Sequence, residues 1–224
     1  MARKYSGTNQ ETRFSLGAVP QQPAGGFSIF AVGRIDNTTD TVWQTLVAWM
    51  SSALAESWWI ERTNGGVLQF GIVNTLTVFR SLDGPTLTDS DGWFIAFGSK
   101  AAADAARCSK YVFSTNAWSH TTGALSNAGS PSDTPRTLGA GALAQIGEFG
   151  ASDDLNGAIQ AFGYYDYELT QQQVESLAAG LYQALLLDPK ALVVLDQSAT
   201  SQVARDLTGG GANKMSSAQL EGQL

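Results

Sequence analysis

Leu155-Asn156-Gly157-Ala158-Ile159-Gln160-Ala161-Phe162-Gly163-Tyr164-Tyr165-Asp166-Tyr167-Glu168-Leu169-Thr170-Gln171-Gln172-Gln173-Val174, continuing to Leu187, reads as a buried strand that stops and becomes a capped helix. Leu155-Asn156-Gly157 predicts a turn, after which Ile159, Phe162 and Tyr164 supply β-favouring apolar side chains up to the acidic end Asp166-Tyr167-Glu168. Thr170 and Gln173 then stand at capping-box spacing, with Leu169 and Val174 placed to form a hydrophobic staple. Val174, Leu177, Ala178, Leu181 and Leu185 recur at helical spacing and give one apolar stripe. Gly180 inside that run predicts a split, and Asp188-Pro189 ends it.

Working outward from this stretch, the chain reads as short strands separated by Gly, Pro, Asn and Asp. Thr12 to Leu16 predicts a short strand before the Pro- and Gly-rich loop Val19 to Gly26. Phe27 to Ile35 predicts a strand covered on both faces, with Phe27, Ile29, Ala31 and Ile35 on one side and Phe30 and Val32 on the other. Val42 to Met50 fits a helix by spacing and a strand by β-branched and aromatic content; the strand is the expectation carried forward. Asn64-Gly65-Gly66 predicts a hairpin between Trp58–Arg62 and Val67–Val73, followed by a strand over Leu76–Arg80 that Ser81-Leu82-Asp83-Gly84-Pro85 closes. Phe94–Phe97 and Lys110–Phe113 follow as strands, with a helical turn expected over Ala101–Ala106. Thr121–Pro135 predicts a long loop with at most one weak edge strand, Thr137–Ala140 a short strand, and Ala191–Leu195 a last apolar one. About ten such strands imply an antiparallel two-sheet sandwich.

Composition narrows the function classes. Charged residues are 15% and hydrophobic residues 43% of 224, which suits one domain with a filled core. A net charge of −7 with 13 scattered Lys and Arg argues against nucleic acid as a partner. Cys108 is the single cysteine, so neither an intrachain disulfide nor a cysteine zinc cluster is available. Met1-Ala2-Arg3-Lys4 is not followed by an apolar stretch, so no signal peptide is expected, and no run reaches the roughly 20 apolar residues of a membrane span.

The segments Asn156-Gly157, Ile159, Phe162, Tyr164-Tyr165, Leu169-Thr170 and Gln173-Val174 resemble the closing segment of laminin-G-like domains. Those domains are members of the concanavalin A-like jelly-roll superfamily. The strand led by Trp93 and the Tyr-Val-rich Lys110-Tyr111-Val112-Phe113 are similar to the paired strands of that family, and Thr137-Leu138-Gly139-Ala140 to its short Leu-Gly strand. The resemblance covers about residues 27–195 and implies an all-β, antiparallel two-sheet jelly roll with one short C-terminal helix. Residues 1–26 then form an N-terminal strand and loop, and residues 196–224 a surface segment, either an intersubunit arm or a frayed end. The Trp93 stretch, Lys110–Asn116, Leu195-Asp196-Gln197 and Asp206–Asn213 further resemble laminin-G-like proteins of actinobacterial phages. That likeness implies a virion structural protein, a minor tail protein or capsid decoration, made in the host cytoplasm. Its implied partners are other virion proteins, further copies of itself and cell-wall glycan. A free carbohydrate-binding module or lectin is the alternative.

A glycoside hydrolase of this fold would project carboxylates from alternate positions of one strand. Glu56 and Glu61 have the wrong parity, and Asp166 and Glu168 sit at a helix entrance, where carboxylates favour the dipole; no enzyme is expected. His120, the single histidine, reads as a solvated loop residue. Sugar recognition needs aromatic faces and amide or carboxylate partners, which makes Trp58, Trp59, Trp118 and Asn116 the carbohydrate candidates. Each tryptophan also has a reading as a core or hairpin-packing residue. Trp58 and Trp59 are neighbours in a strand, so they point to opposite faces. No cofactor is expected apart from calcium, for which Asp89, Asp91, Asp153 and Asp154 are the candidate ligands.

Overall fold

A computed structural model describes residues 3–6, 12–14, 26–37, 42–50, 56–73, 78–101, 105–126, 143–147, 155–195 and 204–206. The strands in chain order are β1 Arg3–Ser6, β2 Thr12–Phe14, β3 Gly26–Ile35, β4 Gln44–Met50, β5 Glu56–Arg62, β6 Val67–Val73 and β7 Phe79–Thr86. They continue as β8 Phe94–Ala101, β9 Ala105–Val112, β10 Ala117–Ala124, β11 Leu143–Ile146, β12 Asn156–Tyr165, β13 Ala191–Leu195 and β14 Ala204–Asp206. Two short helices, α1 Gln171–Ser176 and α2 Leu181–Leu186, lie between β12 and β13.

The alternation in β3 sets the layers. Phe27, Ile29, Ala31 and Ile35 point into the space between two sheets, while Phe30 and Val32 point the other way and meet the helices. The larger sheet runs β10-β9-β8-β3-β12-β13-β14, with β1 also on β12; the smaller runs β2-β11-β4-β5-β6-β7. Every pairing is antiparallel. Between the sheets, Trp58 stacks on Trp49 and Tyr164 at 6.2 and 5.8 Å, and Phe27 packs edge-on to Phe70 at 5.8 Å. Cys108 is fully buried beside Gly84 and Leu68, and burial pushes its thiol far above the usual range, so it behaves as a small apolar group.

The helical segment caps the outer face of the larger sheet because its apolar stripe has Phe30, Phe97, Tyr165, Leu192 and Val194 to bury against. The Thr170 hydroxyl accepts from the Gln173 N–H at 3.3 Å, and the Gln173 side chain accepts from the Thr170 N–H at 2.9 Å, completing the expected capping box. Gly180, at φ 109°, splits the run into α1 and α2 as the sequence predicted. Tyr165 donates to the Ala184 carbonyl at 2.9 Å and Tyr167 to the Leu187 carbonyl, so two strand-end tyrosines pin α2 to the sheet.

Three expectations change. Ser81–Pro85 is part of β7 and not a closing turn: Leu82 packs on the core, and a proline is tolerated on an edge strand. Ala105 and Ala106 belong to β9, because Ala106 faces the core at 4% exposure. Ala117–Ala124 is a full strand whose pairing with β9 is unbroken from Ala117 opposite Val112 to Ala124 opposite Ala105. Its small polar residues read as loop because neither flank is fully covered. The Leu-Gly strand expected over Thr137–Ala140 lies outside the described residues, and the strand found in this part of the chain is β11. Arg80, 1% exposed, reaches the Leu125 and Ser126 carbonyls at 3.2 and 3.4 Å and closes the sandwich where β7 meets the end of β10.

Candidate functional site

The outer face of the larger sheet beyond the helices carries an aromatic strip. Strand register sets Trp118, Tyr111, Ile95, Val32 and Ala161 side by side in one row across five strands. The rings of Tyr111 and Trp118 lie 5.2 Å apart, Trp118 stacks on His120 at 5.5 Å with planes 8° apart, and Phe113 meets Tyr111 edge-on at 5.0 Å. Phe113 is 42% exposed. Asn116, left-handed at φ 52° in the β9–β10 turn, accepts a hydrogen bond from the Tyr111 hydroxyl at 2.5 Å, so turn and strip hold each other in place. One row away, Arg34 lies over the Trp93 ring at 5.6 Å and pairs with Asp36 at 2.9 Å.

Between this strip and α2 lies an apolar groove of about 220 Å³, floored by Val32 and Ile95 and walled by Phe113, Leu177 and Leu181. Gln160 supplies its polar edge. The shift in pairing between Ile159 and Ala161 makes Gln160 the extra residue of a bulge, which turns its amide toward the groove.

Of the four carbohydrate candidates, the structure brings Trp118 and Asn116 together and removes the other two. Trp58 is fully buried between the sheets. Trp59 does point to the opposite face, but it lies flat across Gly71, where an added Cβ would come within 2.1 Å of its ring, and is 5% exposed beside Ala48, Val73 and Phe79. Neither offers a face for stacking, because half-covered sheets bury large rings on both sides. Tyr111, Phe113, Trp93, Arg34 and Gln160 were missed in the sequence. Tyr111 and Trp118 stand one place outside the Val112–Ala117 pair that closes the turn, a symmetry legible only once β10 is read as a strand.

Two of the four calcium candidates, Asp89 and Asp91, fall in the described residues, together in the turn before β8. The Asp91 carboxylate accepts from the Thr88 N–H at 2.8 Å and pairs with the Lys110 ammonium at 2.8 Å, which sits where a cation would have to bind. Asp89 is exposed at the start of the same turn, and Asp153 and Asp154 lie outside the described residues. Among the described residues no three His, Cys, Asp or Glu side chains converge in a metal-binding group. The residues around Asp91 do not fit calcium.

His120 is a strand residue and not a solvated loop one, since alternation places it over the sheet beside Trp118. Its Nδ1 lies 2.9 Å from the Ser109 hydroxyl and its Nε2 3.6 Å from the Glu175 carboxylate on α1. The order Ser-His-Glu has the composition of a nucleophile relay. Ser109, however, is fully buried within the sheet, so no substrate carbonyl can reach its oxygen, and the contacts serve to tie α1 to the β9–β10 hairpin. Burial, opposed by Glu175 and reinforced by Arg107, holds the imidazole below its usual value of 6.5. A depressed histidine favours the folded state while neutral, so its contribution is present above about pH 6.5 and lost as pH falls through the lower folded value. Proton NMR of this single imidazole is expected to titrate below 6.5, and a value at or above 6.5 contradicts the assignment.

No family model matches the chain, and no curated protein is similar to it in sequence. Solved structures do match. The LG1-3 region of the laminin α2 chain superposes with a TM-score of 0.55 at 12% identity, over 72% of this chain and 30% of that one. Tailspike protein 2 from Escherichia coli O157:H7 bacteriophage CAB120 gives 0.55 at 12% identity, over 88% of this chain and 27% of that one. The heptameric SAP-like pentraxin from Limulus polyphemus gives 0.51 at 15% identity, over 78% of this chain and 80% of that one. The chain folds as an antiparallel two-sheet jelly roll. It thus spans under a third of the laminin fragment and of the tailspike, and four fifths of the pentraxin.

Proposed function

We propose that this jelly roll is a non-enzymatic domain of a phage virion, in a minor tail protein or capsid decoration, that binds a bacterial-surface glycan through the strip of Trp118, Tyr111 and Phe113. The observation that carries the reading is this strip itself: the exposed Phe113 ring and the half-buried Trp118 ring held on either side of the buried Tyr111, with Asn116 at one end and the Gln160 amide at the other. Sugar rings stack their C–H faces on aromatic rings while hydroxyls bond to amides and carboxylates. The virion part rests on the sequence resemblance of Lys110–Asn116 and its neighbours to phage proteins, and is supported by the tailspike, a phage protein of which about a quarter is similar in fold. The full burial of Ser109 supports a binding role over acyl transfer at the Ser109–His120–Glu175 cluster.

Binding of the purified chain to a panel of bacterial cell-wall polysaccharides tests this, in calcium and in chelator. Saturable binding is expected, equal in the two conditions, with the dissociation constant raised about ten-fold or more by Trp118→Ala and by the exposed Phe113→Ala, the loss of roughly one stacking contact. Absence of binding to every polysaccharide, or binding untouched by both substitutions, overturns the glycan reading.

A further inference from the structure

Among the described residues five strands have one paired flank, β1, β2, β7, β10 and β14, and four of them carry the devices that keep edge strands from pairing; β1 is four residues long and includes Arg3 and Lys4. β2 and β14 are three residues long. β7 contains Asp83 and Pro85 and shifts register against β6 between Val67 and Gln69. Short length, charge, proline and bulges each prevent a foreign strand from adding to a sheet. β10 has none of them. It runs eight residues, Ala-Trp-Ser-His-Thr-Thr-Gly-Ala, without Lys, Arg, Asp, Glu or Pro, and stays in unbroken register with β9. Ala117, Ser119, Thr122, Gly123 and Ala124 are exposed.

We propose that β10 is a self-association edge, on which β10 of a second copy pairs antiparallel about a two-fold axis to make one continuous sheet. A second copy is the occupant that the charge distribution fits. The chain carries a net −7, so two copies repel over most of their surfaces, whereas β10 itself contributes no carboxylate or ammonium group and its charged neighbours are of both signs, Lys110 and Arg107 on β9 with Glu168 and Glu175 beside Thr122 and His120. An antiparallel strand also pairs with itself under a two-fold, the closed symmetry of most homodimers. Because side chains alternate with period two, such pairing sets Trp118 of both copies on one face. If the strip binds glycan, the dimer then presents two strips to one polymer, a consequence that rests on the reading above.

The test is the mass in solution without glycan, by light scattering on a sizing column at about 100 μM. The expected mass is twice the 23.6 kDa of the chain. Ser119→Glu combined with Thr122→Glu is expected to give a monomer: each new carboxylate faces Lys110 or Arg107 within its own hairpin, whereas pairing two copies gathers four of them. A wild-type monomer, a trimer or larger ring, or a dimer that survives the double substitution overturns the proposal. Amide exchange of the unsubstituted chain gives a second readout that needs no variant. Protection within 117–124 should rise between about 1 and 100 μM, and constant protection overturns the proposal. No sugar enters either measurement, so failure here is separable from failure of glycan binding.

Discussion

Trp58→Ala is expected to destabilise the chain by about 3–5 kcal/mol, the cost of a large buried aromatic whose neighbours cannot close the gap. Trp58 is fully buried, lies parallel to Trp49 and Tyr164 at 15° and 10°, and tilts against Phe27 at 6.4 Å. These rings come from β3, β4, β5 and β12, so the cavity opens between both sheets at once. For a domain of this size that loss lowers the thermal midpoint by roughly 10 °C. A midpoint within about 2 °C of the parent would mean that this ring stack is not the centre of the core. The same measurement separates the tryptophans, since Trp118 is half-buried on the outer face, and Trp118→Ala should cost less stability than Trp58→Ala while weakening the proposed glycan binding.

Gly157→Ala is the second large effect, although it adds only a methyl group. β12 is flanked here on both sides, with Gly157 opposite Ile35 of β3 and Tyr5 of β1. A Cβ would stand 2.1 Å from the Arg34 carbonyl oxygen and 3.1 Å from the Ile35 Cα, both backbone atoms that cannot rotate away. Relief requires β3 and β12 to part, and these are the central strands of the larger sheet. A loss of about 3 kcal/mol is expected, at the upper end for overpacking. Gly65→Ala is the control: its added Cβ meets only the Thr63 hydroxyl at 3.6 Å, so chemical denaturation should place it within about 0.5 kcal/mol of the parent. Equal midpoints for the two variants would disprove the close approach at Gly157.

Where apolar pattern and turn chemistry agree, the sequence was legible. Phe27–Ile35 alternates in order, the Asn64-Gly65-Gly66 hairpin joins β5 to β6, and Thr170 with Gln173 caps α1 before the break at Gly180. Each of these signals is local, closed within a few residues by hydrogen bonds or by burial of one face. β10 and β7 were obscured for the opposite reason. Edge strands bury little, so Thr121, Thr122 and Gly123, or Ser81, Asp83 and Gly84, carry the small and polar residues that also make loops. His120 followed from the same misreading.

The amino-acid sequence by itself determined a two-sheet β-sandwich and its capped helical segment, because alternation, turn residues and caps act over distances that a short window contains. It also determined that one tryptophan of the 58–59 pair enters the core, since a strand must point neighbours to opposite faces. Tertiary structure alone decided that Trp59 is covered as well, that Lys110 occupies Asp91, and that Ser109, His120 and Glu175 meet. It also decided which aromatic residues share a surface. Those outcomes depend on register between strands and on which face the helices cover, set by packing of residues far apart in the chain.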